Sequence, residues 1–251
     1  MQKTALQRLG FVLLSALNLI GLSGCSSVDL LNATIPSSGY TVHKDIAYGT
    51  NARQKLDVYV PKNLTKPAPV IVFFYGGSWQ TGSKNEYLFV GQAFASKGFV
   101  TVIVDYRLYP EASFPVFNED AASATKWVHD HIAQYQGAPE NLFLSGHSAG
   151  AYVAMMISSD EHYLKDIGGS SKWIRGTIGI AGPYDFLPLT DPKIIALFST
   201  AKTPALTQPI TYVDSIQPPV FLAVGTADTT VLPANSEHLM AKLQEFNSPV
   251  E

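Results

Sequence analysis

Several stretches of this chain are apolar without alternation: residues 69–75 (PVIVFFY), 99–106 (FVTVIVDY), 176–182 (GTIGIAG) and 219–225 (PVFLAVG). A strand with one wet face alternates apolar and polar residues, so unbroken Val, Ile and Phe mark strands buried on both faces. Between them lie segments with the look of helices: residues 85–98, closed by Gly98, residues 116–135, a run starting at Ser148, and residues 234–246. Strands that take turns with helices predict an α/β fold, a mostly parallel sheet covered on both faces. Ahead of them, residues 43–48 and 54–60 alternate and are separated by GTNARQ, which predicts a hairpin. With 251 residues, 46% of them hydrophobic and 15% charged, one domain over residues 41–251 is expected. In parallel sheets the chemistry collects at the carboxyl ends of the strands.

One such end carries Gly146-His147-Ser148-Ala149-Gly150, between residues 141–146 (NLFLSG) and a small-residue helix. A serine on a tight strand-to-helix turn sits in strained backbone with its hydroxyl pushed out, and the flanking glycines remove side chains that would collide there. Ser148 is therefore the candidate nucleophile. Ala149 opens the helix, so its N–H, with the helix dipole behind it, is a candidate oxyanion donor. The G-x-S-x-G spacing alone is a weak signal; its position between strand and helix makes it a strong one. Residues 75–82 (YGGSWQTG) follow the first buried strand, and Gly76 and Gly77 let backbone N–H groups approach a ligand closely, as the rest of an oxyanion hole. Asp228, in residues 225–231 (GTADTTV), is the candidate acid that orients a histidine. Ser, then Asp, then an expected His is the chain order of the α/β-hydrolase fold.

With these motifs the chain resembles the α/β-hydrolase esterases related to hormone-sensitive lipase. It is more similar still to the branch that holds small feruloyl-esterase-like and kynurenine-formamidase-like enzymes. The matching residues are Tyr75-Gly76-Gly77-Ser78-Trp79, Asp105-Tyr106-Arg107 with Pro110, Asp120, the Gly146 to Gly150 elbow, and Asp228. The resemblance implies a serine carboxylesterase that hydrolyses small-molecule esters with short-chain or aryl groups through an acyl-enzyme. An amidase or arylformamidase is the alternative of the same class. A non-catalytic envelope protein that keeps the hydrolase fold is the alternative from a different class. Nothing in the sequence suggests a metal or organic cofactor.

Two positions depart from the family pattern. Tyr75 stands where the family usually has histidine, which is expected to change the lining of the oxyanion loop. The family's catalytic histidine follows one further strand, whereas this chain stops at Glu251. That histidine is expected beyond Glu251, and the chain reads as C-terminally truncated, without its last strand and helix and nearly inactive as written. His238 is expected on the surface of a helix and His147 packed under the elbow. His129 and His131 lie two apart and do not share a helix face. His43 and His162 have no motif around them. Residues 183–218 either roof the site or belong to the core, and the sequence leaves both open.

The N-terminus reads separately. Lys3 and Arg8 precede an apolar run from Leu9 to Leu22, shorter than the roughly 20 residues a spanning helix needs, so residues 1–24 read as a secretory signal. Leu22-Ser23-Gly24-Cys25 resembles the bacterial lipoprotein signal, which implies lipidation of Cys25 and a lipid anchor on a membrane surface. Ser26 after it points to the outer membrane of the cell envelope. Cys25 is the only cysteine, so it has no partner for an internal disulfide. Residues 25–40, small and polar, read as a linker. A net charge of −3 and the lack of a basic stripe argue against nucleic acid as a partner.

Overall fold

Seven strands form one sheet in the order β1-β2-β4-β3-β5-β6-β7. They are β1 (Tyr40–Ala47), β2 (Lys55–Pro61), β3 (Ala68–Phe74), β4 (Val100–Val104), β5 (Gly137–His147), β6 (Ile174–Ile180) and β7 (Val220–Ala223). β3 to β7 pair in parallel, whereas β2 is antiparallel to both β1 and β4. The computed structural model describes residues 27–214 and 217–251. The expected signal and Cys25 lie outside the described residues.

The apolar runs become the central strands because only a doubly covered position removes all their side chains from water. Val70, Ile71, Val72, Phe73 and Phe74 are all buried, although successive strand residues point to opposite faces. The helices over the sheet are α2 (Leu88–Ala95), α3 (Val116–His131), α4 (Ala149–Ser159), α5 (His162–Lys165), α6 (Pro192–Phe198) and α7 (Ala234–Glu245). Every residue of α4 is buried. Helix boundaries are shorter than the sequence pattern suggests. Lys84–Tyr87 is a 3-10 turn before α2, and Ile132–Tyr135 is another after α3. Cover thins at the β6–β7 side, where Ile180 and Phe221 are 38% and 47% exposed. There Val250 makes an isolated parallel bridge to Val220.

The described residues up to Ile35 form a unit separate from Pro36–Glu251. The stretch read as a linker is not structureless, since Ser27–Ala33 is a short helix, α1. Leu30, Leu31 and Ala33 are good helix formers, and they outweigh the polar residues beside them. Among the described residues no helix is long and apolar enough to cross a membrane.

β2 shows where alternation misleads. Its polar-face residues Asp57 and Tyr59 are as buried as Leu56 and Val58. The charge of Asp57 is met by Lys84 from the turn before α2, with Nζ 2.8 Å from Asp57 Oδ1 and 2.7 Å from Asp45 Oδ1. The Lys84 and Asp57 side chains are only 2% and 1% exposed, so neither charge has water to fall back on. Lys84→Met should therefore strand the Asp57 carboxylate and lower unfolding free energy by about 3–5 kcal/mol in urea titration, whereas Lys84→Met with Asp57→Leu should recover much of it. A loss near zero in the single variant would contradict this account.

Candidate active site

β5 delivers His147 to the carboxyl edge of the sheet, and α4 begins two residues later. Ser148 joins them at φ 52° and ψ −122°, a conformation costly for any residue with a side chain. Two hydrogen-bond systems hold it there. The Ser148 N–H donates to the Ile180 carbonyl at 2.8 Å, and the Ser148 carbonyl accepts from the Ala151 and Tyr152 N–H groups at 2.9 and 3.1 Å. The flanking glycines are a steric necessity. A methyl group on Gly146 would fall on the backbone of Gly150 and Ala151, and one on Gly150 would fall on the Phe74 carbonyl. Strand β3, the elbow and the first turn of α4 thus meet backbone to backbone.

The loop after β3 closes against the same point. A Cβ on Gly76 would lie 2.9 Å from His147 Nδ1 and 3.0 Å from Ser148 Cβ, so this loop and the elbow share one contact. Gly77 has φ +125°, and Ser78 and Trp79 follow with φ 53° and 58°. Its carbonyl accepts from the Gln80 and Thr81 N–H groups at 2.9 and 3.0 Å, which fixes the turn. Ala149, at the first helical position, has an N–H without an intrahelical acceptor.

Tyr75 does not change the lining, contrary to the expectation from the sequence. It is fully buried beneath the loop, stacked on Tyr106 and Tyr87 at centroid distances of 5.0 and 5.6 Å. Its hydroxyl donates to Asp105 Oδ1 (2.8 Å) and accepts from Arg53 Nη2 (2.7 Å). Burial, reinforced by the Asp105 charge, drives its pKa far above the usual phenol range, so it stays a neutral donor. The Lys84 N–H donates to the same Asp105 oxygen at 2.7 Å, and the Tyr106 hydroxyl to the Tyr75 carbonyl at 2.7 Å. Sequence comparison singled out Asp105, Arg107 and Asp120 without giving them a task. Asp105 anchors this floor, and Arg107 grips Asp120 through Nε and Nη2, the latter at 2.6 Å, tying the loop after β4 to α3.

Asp228 lies in the loop after β7. Its Oδ1 accepts the Val231 and Thr230 N–H groups at 3.0 and 2.8 Å, and these bonds hold its carboxyl below the usual aspartate range. His147 is not packed under the elbow. The residue is exposed, because the elbow turns it outward over Gly76. Partial burial of its ring lowers its pKa against the opposing pull of the Asp228 charge. His238 is an exposed helix residue, as expected, but its Nδ1 lies 2.8 Å from Asp185 Oδ2. His129 stacks on Trp173 at 3.6 Å, His131 on Trp127 at 4.7 Å, and His43 meets the edge of Tyr135 at 4.9 Å. His162 pairs with Asp160. Among the described residues no imidazole hydrogen-bonds Ser148 or Asp228.

A cleft of about 550 Å³ opens at Ser148 and Ala149. Trp79 forms one wall, residues 185–191 another, and Val231 and Leu232 a third. The stretch 183–218 does both things the sequence left open. Phe186 and Leu189 line the cleft, while Leu197 and Phe198 are buried and Phe198 packs edge-on against Trp79 at 5.1 Å. Two residues that sequence reasoning missed shape this roof. Asn235 Oδ1 accepts the Tyr184 and Asp185 N–H groups at 2.9 and 3.0 Å, and Gln208 Oε1 accepts that of Phe186 at 2.8 Å. Lone amides in polar stretches carry no pattern that would have marked them.

The family model described as BD-FAE matches residues 56–243, most of the chain, a span that includes Gly76, Gly77, Ser148, Ala149 and Asp228. The chain belongs to the BD-FAE family. This BD-FAE member is 30% identical over 230 residues, 81% of its own length, to a probable isoprenylcysteine alpha-carbonyl methylesterase of Oryza sativa subsp. japonica, 53% of which is covered. It is 34% identical over 145 residues, 58% of its length, to the kynurenine formamidase of Danio rerio, 47% of which is covered. The chain thus spans about half the length of these relatives. Among solved structures, a truncated form of a carbohydrate esterase from gut microbiota superposes with a TM-score of 0.76 at 20% identity, covering 86% of this chain and 88% of that one. That likeness and the sheet order establish the α/β-hydrolase fold.

The two donors on Asp228 Oδ1 favour the charged form, so the midpoint of the Asp228 carboxyl resonance in an NMR titration should fall below the ordinary value of about 3.9. The sign follows: its contribution to stability is complete above the ordinary carboxylate value and is lost as pH falls through the lower folded-state value. A midpoint at or above the ordinary value would remove the argument. Gly150→Ala should be more damaging than a surface Gly→Ala change, with a marked drop in Tm, since the new methyl has only backbone to displace. Unchanged Tm would show that the elbow has room.

Proposed function

We propose that this BD-FAE member is a serine carboxylesterase acting on small uncrowded esters through an acyl-enzyme. The observation that carries the reading is the strained Ser148, held between two glycines that admit no side chain and opening into the cleft. Ser148 Oγ attacks the ester carbonyl, and its proton passes to a base that Asp228 would orient and that the described residues do not provide, a part free imidazole can take. The N–H groups of Gly76, Gly77 and Ala149 receive the oxyanion, and water later releases the acyl group. The esterase names of the rice relative and the structural neighbour support ester chemistry. The formamidase relative favours a second reading, hydrolysis of an aryl formamide by the same groups. Turnover on p-nitrophenyl acetate and on N-formylkynurenine separates them, and a strong preference for the second overturns the ester assignment.

Residues 1–251 supply oxyanion donors and an acid but, among the described residues, no imidazole bonded to Ser148. Loss of the base in such a triad costs about a millionfold, leaving roughly a thousandfold over water. On this reading ester turnover should be slow and should respond to free imidazole, with the imidazole-dependent gain absent in Ser148→Ala. A fluorophosphonate should label Ser148 in mass spectrometry. Labelling elsewhere, or hydrolysis that survives Ser148→Ala, sinks the nucleophile assignment. We also infer a lipid anchor at Cys25, on the sequence pattern alone. Cys25→Ser should abolish incorporation of labelled palmitate in a bacterial host and move the protein out of the membrane fraction.

A further inference from the structure

We propose that Asp185 makes this cleft charge-selective, so that it takes neutral and cationic substrates and discriminates against anionic ones. The proposal rests on the hydrolytic reading of the Ser148 cleft and names the class of substrate that cleft accepts.

Among the described residues lining the cleft, the charged side chains are Asp185 and Asp191, and no Lys or Arg stands beside them. The two carboxylates differ in what already answers their charge. Asp191 caps α6, and its Oδ1 accepts the N–H groups of Lys193 and Ile194 at 2.7 and 3.2 Å. Asp185 has no backbone donors of that kind on its carboxylate. Its Oδ2 meets His238 Nδ1 at 2.8 Å, and the side chain remains 35% exposed. His238 sits on α7 outside the cleft lining and fixes one carboxylate oxygen of Asp185, a residue that lines the cleft.

The backbone under Asp185 is fixed as well. Asn235, itself only 8% exposed, holds the Asp185 and Tyr184 N–H groups on one oxygen. Asp185 therefore stands at a set place on the roof of a cleft whose other lining is largely apolar or uncharged. A carboxylate so placed attracts a cation and repels an anion across the space that substrate must occupy. For unit charges roughly 7 Å apart at an effective dielectric of about 20, the Coulomb energy corresponds to a factor of at least ten per charge, before salt screening reduces it.

The test compares kcat/KM for three acetate esters of similar size: that of choline, that of its uncharged tert-butyl isostere, and that of a hydroxyalkyl sulfonate. Assays run at about pH 8 and at low ionic strength, so that salt screening is small. The cationic ester should exceed the anionic one by about tenfold or more. That ratio should collapse toward unity in Asp185→Asn and persist in Asp185→Glu. Asp191→Asn should move it less. A ratio near unity in the unsubstituted chain overturns the proposal, and so does a ratio that survives Asp185→Asn.

Calorimetric binding of the corresponding hydrolysis-inert methyl ethers keeps the charge test independent of turnover. Cation preference in binding with no Ser148-dependent hydrolysis of any ester, even with added imidazole, would leave the charge selectivity standing and remove the hydrolytic reading. Binding without preference would remove the selectivity.

Discussion

The contact between Gly150 and the Phe74 carbonyl is the constraint on which the rest depends. It brings the end of β3 against the first turn of α4, and nothing larger than hydrogen fits between them. Because β3 is the middle strand of the sheet, paired with β4 on one side and β5 on the other, that contact places the elbow at the centre of the carboxyl edge. The loop after β3 then has no choice but to pass beside Ser148, since its first residue follows Phe74 directly. Ser148 and the loop of Gly76 and Gly77 are neighbours because one strand carries the floor of both.

Strain at Ser148 is sustained by burial rather than by local preference. Residues in such backbone regions cost about 1–3 kcal/mol each and persist only where their surroundings over-determine them. Here the surroundings are a helix with every residue buried and a backbone bond from Ser148 to Ile180 of the adjacent strand. The loop of Gly77, Ser78 and Trp79, three successive residues with positive φ, is sustained in the same way by the Tyr75, Asp105 and Arg53 network below it.

Much of this arrangement was legible in the sequence, because period and glycine placement are local signals with direct physical causes. The central strands and the elbow follow from uninterrupted Val, Ile and Phe and from two glycines spaced around a serine. The start of β5 was not legible: Gly137 reads as loop, and it becomes strand only because Ala68 of β3 pairs with it. Tyr75 misled because sequence position alone does not say which side of a loop a side chain takes, and the Asp105 carboxylate and the partly exposed Arg53 guanidinium drew it downward. The outward turn of His147 is likewise a property of the elbow's dihedral angles. The roof was illegible for a different reason. Its shape is set by Asn235 and Gln208, single amides that bond backbone from 50 and 22 residues away.

The floor under the loop after β3 and the roof of the cleft are built with different tolerance for change. The floor beneath Tyr75 is a closed circuit of buried phenols, a carboxylate and a guanidinium, in which each member completes the bonding of another. The roof backbone hangs from two amide side chains, and Leu187 on it is partly exposed. An exposed roof residue such as Leu187 can therefore change at little structural cost, whereas a change in the circuit below leaves a partner unsatisfied. In the proposed reading, the parts that would set catalytic power and substrate choice are separately adjustable, and the seam between them runs along Trp79.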